Sequence, residues 1–199
     1  MVQQVLVIHG GNAFETHGAY IDYLKTKELT LEDSTYKGWK DNLAADLSAD
    51  FDVFTPRMPN AFNARYAEWK IWFEKLLALM DNDLILIGHS LGGIFLIKYL
   101  SENKIDKKIS ATFLVAAAYN TPSIHPLVDF VITTNLSGLE KQGGEIYIYH
   151  SKDDQVVPYS NCEDLAKALP LAKVKVFTDR GHFHQPNFPE LVQDIKSLT

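Results

Sequence analysis

The chain has 199 residues, of which 46% are hydrophobic, 22% charged and 12% aromatic, a balance that excludes disordered, collagen-like and low-complexity classes. One core at this length can bury about 70% of the unfolded surface, so a single domain over 1–199 is expected. The 19 Lys and Arg against 25 Asp and Glu leave a net charge of −6, which repels a phosphate backbone and argues against a nucleic-acid partner.

A lone cysteine, Cys162, provides neither an internal disulfide nor a C-x-x-C metal or redox site. The start, MVQQVLVIHGG, has no basic leader, and no apolar run reaches the roughly 18 residues a membrane span needs. A cytoplasmic chain with no membrane partner is the expectation. Nothing in the sequence encodes its oligomeric state.

Val5-Leu6-Val7-Ile8 opens the pattern as a continuous apolar run ended by His9-Gly10-Gly11, as expected for a strand buried on both faces. Residues 12–36 form a long connection with a helix expected around Tyr20 to Lys25, and another is expected near 38–48. Phe51 to Phe54 reads as a second, more exposed strand stopped by Pro56. Tyr66, Trp69, Trp72, Phe73, Leu76, Leu77 and Met80 recur at spacings of three and four, predicting an amphipathic helix over 65–80. Leu84 to Ile87 is the clearest strand and ends at Gly88, and Ile94 to Leu100 follows as a nearly all-apolar helix.

The remaining predicted strands are Ala111 to Ala117, Ile146 to Tyr149 and Val174 to Phe177, with helices near 159–168 and 188–198. Between them, 118–144 is a short cap-like insertion containing Pro122 and Pro126. Strands alternating with helices imply an α/β fold, a mainly parallel sheet of six strands covered on both faces.

Gly88-His89-Ser90-Leu91-Gly92 matches G-x-S-x-G directly between the best strand and a helix, where a nucleophile elbow belongs. Its plain alternative is an N-capping serine on an ordinary turn. A serine needs a base to take its proton, and the base needs an orienting acid. These partners are expected later, in the order acid then histidine, beyond the ends of later strands. Asp153-Asp154 follows the fifth predicted strand and His182 follows the sixth, which puts both on the rim that carries Ser90. His184 competes with His182 as the base, while His9 and His89, beside glycines at strand ends, are expected to hold loops. His125 and His150 have no partner the sequence can name. The oxyanion of an acyl-transfer intermediate needs backbone donors, expected from Leu91, after the serine, and Gly11, after the first strand. No metal or cofactor motif is recognisable, since His182-x-His184 lacks the usual ligand spacing.

Taken together, these motifs resemble the α/β-hydrolase superfamily and, more narrowly, its small serine hydrolases of the YdeN and retinoblastoma-binding protein nine kind. The likeness is carried by Ile8-His9-Gly10, Thr16-His17-Gly18, Arg57-Met58-Pro59-Asn60, the Ser90 pentapeptide, Ser151 to Pro158 and Gly181-His182-Phe183. It implies a three-layer sandwich with strand order 2-1-3-4-5-6 and a minimal cap. Aligning the family's acid motif on Pro158 makes Asp154 the acid.

The function these observations imply is a cofactor-independent serine hydrolase of the carboxylesterase kind, acting on a small ester or acyl substrate through Ser90, His182 and Asp154. The competing reading is a catalytically weak binding protein working through partner contacts. Exposed aromatics in 118–144 or 12–36 would favour it, and Phe14, Tyr20, Tyr119 and Phe130 are available there.

Overall fold

A computed structural model describes residues 2–31, 35–47, 49–119 and 126–198. Its first strand, β1 (Gln3–Ile8), leads into helices α1 (His17–Thr26) and α2 (Trp39–Leu47), then β2 (Phe51–Phe54) and α3 (Tyr66–Leu79). The chain continues through β3 (Leu84–His89), α4 (Leu91–Glu102), β4 (Ile109–Val115), α5 (Ser137–Gln142) and β5 (Glu145–Ser151). It closes with α6 (Ser160–Ala168), β6 (Lys173–Phe177) and α7 (Pro189–Lys196).

The six strands form one sheet in the order β2-β1-β3-β4-β5-β6, and every pairing is parallel. Two-residue periodicity splits the central strands between two cores. Leu6, Ile8, Leu84 and Leu86 join a cluster with Trp69, Phe73 and most of α4. Val5, Val7, Ile85 and Ile87 join Trp39, Leu43 and Leu47 of α2 and Leu191 and Ile195 of α7 on the opposite face. Every residue of β3 is therefore buried, which is why its sequence is an unbroken apolar run.

Strand β1 lies between β2 and β3, so the chain leaves β1 toward one edge of the sheet and returns to build the other. At such a reversal the loops beyond the strand ends diverge and leave a crevice. The loops after β1 and β3 both open there.

Several sequence-based boundaries shift. β4 ends at Val115, because Ala116 takes φ +47° and its N–H donates to the Tyr149 carbonyl at 2.8 Å. β5 runs on to Ser151, which places His150 inside the sheet. On α3 the buried stripe is Trp69, Phe73 and Leu77, whereas Trp72 is 43% exposed.

Within the expected 118–144 insertion, 120–125, including His125, lie outside the described residues. The rest folds back on the body: Phe130 packs edge-on to Tyr66 and Trp69, and Leu139 of α5 is buried in the same core as α4. No helix among the described residues is long and apolar enough to cross a membrane.

Candidate active site

Ser90 occupies the single residue between β3 and α4, with φ +56° and ψ −120°. A non-glycine residue rarely adopts positive φ, and the strain persists only where its surroundings impose it. Here the strand and helix are pressed together through two glycines. A Cβ on Gly88 would lie 2.5 Å from the Gly92 carbonyl oxygen, and one on Gly92 would run into the Ile8 carbonyl oxygen. The Ser90 N–H is held by the Val115 carbonyl at 2.9 Å. The turn therefore presents Ser90 to the crevice at the first turn of α4, where unsatisfied amides favour negative charge.

Asp154 is buried in the loop after β5. Its Oδ1 accepts from the Val156 and Val157 amides at 2.8 and 3.0 Å, which leaves Oδ2 to accept from His182 Nδ1 at 2.8 Å. Burial pushes this carboxyl up, but the His182 hydrogen bond and charge and the two amides outweigh it and hold Asp154 below the usual carboxylate range. With Nδ1–H given to Asp154, the His182 Nε2 is left as the ring's free acceptor.

Asp153 faces the other way. Its Oδ1 accepts from Ser151 Oγ and from the Gly181 N–H at 3.1 Å, tying the β5 loop to the loop that carries His182.

His182 is further fixed through its backbone. His89 Nε2–H donates to the His182 carbonyl at 2.9 Å, and Trp39 Nε1–H donates to the Phe183 carbonyl at 3.0 Å. Burial holds His89 well below the ordinary histidine value, so it is neutral, and its Nδ1 accepts from Lys40 Nζ at 3.3 Å. His9 is also lowered by burial; its Nδ1–H donates to the Gly10 carbonyl at 2.6 Å and its Nε2 accepts from the Met58 N–H at 2.8 Å. The two histidines beside glycines thus brace loops.

His150 lies 3.9 Å from Asp154 Oδ2 but donates Nε2–H to the Val157 carbonyl at 2.9 Å, so it supports the acid loop.

Ser90, Leu91, Gly11 and His182 all line one cavity of about 390 Å³ at the sheet reversal. Asp154 lies behind His182. Among the described residues no hydrogen bond joins Ser90 Oγ to His182, a link that in unliganded sites often tightens only around substrate. Leu91 is the first residue of α4, and the Gly11 N–H has no backbone partner among the described residues. His184 lines the same cavity, where burial lowers its pKa, and among the described residues no carboxylate is hydrogen-bonded to it. No group of three or more potential metal ligands occurs among the described residues.

Sequence reasoning passed over Lys40, Asn12 and Leu127, which also line the cavity. Lys40 follows the buried Trp39 in a segment with no motif, so only the tertiary packing of α2 brings it there.

A family model described as serine hydrolase matches residues 30–188. The chain belongs to this serine hydrolase family. The putative hydrolase YdeN of Bacillus subtilis is 26% identical over 185 residues, covering 92% of this chain and 87% of that protein. The serine hydrolase RBBP9 of Rattus norvegicus is 27% identical over 152 residues, covering 74% and 78%. Among solved structures, that of the B. subtilis ydeN gene product superposes with a TM-score of 0.72 at 20% identity, covering 98% of each chain. A variant of the meta-cleavage product hydrolase CumD superposes with a TM-score of 0.66 at 18% identity, covering 98% of this chain and 90% of its own. This serine hydrolase has the α/β-hydrolase fold, with the strand order that the sequence resemblance implied.

Proposed function

We propose that the protein is a carboxylesterase-like hydrolase that cleaves an ester or related acyl bond through an acyl-enzyme on Ser90. Ser90 Oγ attacks the carbonyl carbon while His182 Nε2 takes its proton. The tetrahedral oxyanion is met by the Gly11 and Leu91 amides, each lowering the barrier by about 3 kcal/mol. His182 then gives the proton to the departing alkoxide, and water repeats the sequence to release the acid and restore the serine. Asp154 fixes the tautomer and stabilises the imidazolium as it forms.

The observation that carries this reading is the 2.8 Å bond from His182 Nδ1 to a buried Asp154, on a ring that shares its cavity with a serine at φ +56°. A solvated turn would not need such a pair. The binding-protein alternative is the weaker reading: Phe14 and Phe130 are buried and Tyr20 and Tyr119 largely so, which leaves Tyr36, 52% exposed, as the one exposed aromatic among the described residues of 12–36 and 118–144.

The test is labelling with a fluorophosphonate alongside a 4-nitrophenyl ester series. Wild type is expected to label and to turn over esters; Ser90→Ala should do neither. Equal labelling of both proteins removes Ser90 from the mechanism.

A further inference from the structure

The cavity beside Ser90 has two chemically different walls. Leu91, Ala118, Leu127, Val156 and Val157 belong to or pack on the core that contains α3 and α4. The other wall is basic. Lys40 stands on α2, beside Trp39 of the opposite core, and His184 follows Phe183 of that same core. Among the described residues no aspartate or glutamate lines the cavity, although the chain as a whole carries a charge of −6.

Lys40 is unusual among the lysines. Lys98, which is buried, is neutralised by Glu102 at 2.8 Å. Lys40 is half-buried, and among the described residues its Nζ meets only the neutral His89 ring at 3.3 Å and the Trp39 face at 5.0 Å. An ammonium has three donors, so at least one remains for a ligand in the cavity. Asp41 favours the charge through space without forming an ion pair with it, so burial still costs the cation more than Asp41 returns, and a ligand anion in contact would offset that cost. Burial lowers the Lys40 pKa to about 8, so it is still charged at neutral pH.

We infer that Lys40 determines specificity: it receives the carboxylate of a substrate that joins an apolar half to an anionic half across the scissile acyl bond. One ammonium beside neutral histidines matches a single negative charge. A phosphate would call for more cationic donors, above all the arginine fork, and among the described residues no arginine lines the cavity. This inference rests on the hydrolase reading but extends it to the substrate class.

The experiment compares charged and neutral esters of matched size. One pair is 4-nitrophenyl hemiglutarate and 4-nitrophenyl pentanoate, with the charge on the acyl half. The other is the butyryl esters of 4-hydroxybenzoate and 4-hydroxybenzamide, with the charge on the leaving half. In one pair the anionic-to-neutral ratio of kcat/KM should fall roughly ten- to a hundredfold in Lys40→Met and recover in Lys40→Arg. Ratios unchanged in both pairs overturn the inference, even if absolute rates fall because His89 has lost a neighbour.

Titration calorimetry of Ser90→Ala with monomethyl glutarate separates this from failure of the hydrolase reading. Binding that weakens at least tenfold on adding Lys40→Met supports the site even if no ester is turned over. Equal binding in both proteins, or none in either, overturns it.

Discussion

Asp153 and Asp154 are neighbours in the chain, yet the loop gives them opposite tasks. Asp154 is buried against His182, while the exposed Asp153 clamps the Gly181 amide. Asp154→Asn keeps the shape but can favour the wrong imidazole tautomer, so kcat is expected to fall about 10⁴-fold. Asp153→Ala loosens only the loop and is expected to cost less than about a hundredfold. Steady-state kinetics on one ester, with circular dichroism to check folding, distinguishes them; a larger loss for Asp153 would reverse the assignment.

Lys40 has its own signature in pH. Its neighbours are His9 after β1, His89 at the end of β3, His184 after β6 and Asp41 on α2. A lysine lowered to about 8 is cationic below that pH and neutral above it. Any preference for an anionic ester should therefore be full near pH 7 and fade between about 7.5 and 9, since kcat/KM follows the free enzyme. Profiles of the two matched esters that run parallel across this range would contradict it.

At the scale of the element, the same long-range contacts explain what could be read in the chain and what could not. β3 was legible because both its faces are covered, and Ser90 because a strand, a turn and a helix meet at one pentapeptide. Asp154 and His182 were legible because strand ends in a parallel sheet share a rim. The end of β4 was hidden: Ala116-Ala117-Ala118 continues the apolar run, and only the backbone shows that Ala116 turns to φ +47°. Trp72 fitted the helical spacing on α3 but falls outside the stripe that meets the sheet.

Lys40 was illegible because its position depends on α2, anchored by Trp39 to the Phe183 carbonyl more than 140 residues away in sequence. That anchor can be tested. Trp39→Phe keeps a ring in the core but leaves a buried carbonyl unpaired, with an expected loss of about 1–3 kcal/mol in denaturant unfolding. It should also lower kcat, because the carbonyl belongs to the residue after His182. Unchanged stability and kcat would show that α2 holds this loop by packing alone.

For the molecule as a whole, the cavity sets the size of what can react. The 126–144 segment is folded against α4, with Pro126 and Leu127 at the edge of a cavity of about 390 Å³ that opens beside Ser90. Within a 4-nitrophenyl ester series, kcat/KM is expected to peak at short to medium acyl chains and decline beyond about eight carbons, since pockets of this size hold only small ligands. A monotonic rise through long chains would require the loop region to open.

The left-handed serine turn also has a thermodynamic consequence. Glycine accepts positive φ without strain, so Ser90→Gly should release part of the roughly 1–3 kcal/mol stored there, less the glycine's greater entropy loss on folding. The inert enzyme would then melt a few degrees above the active one, at about 2–4 °C per kcal/mol for a chain of this size. Thermotolerance and turnover would draw on a single peptide unit in opposite directions, and improving one through that unit would sacrifice the other.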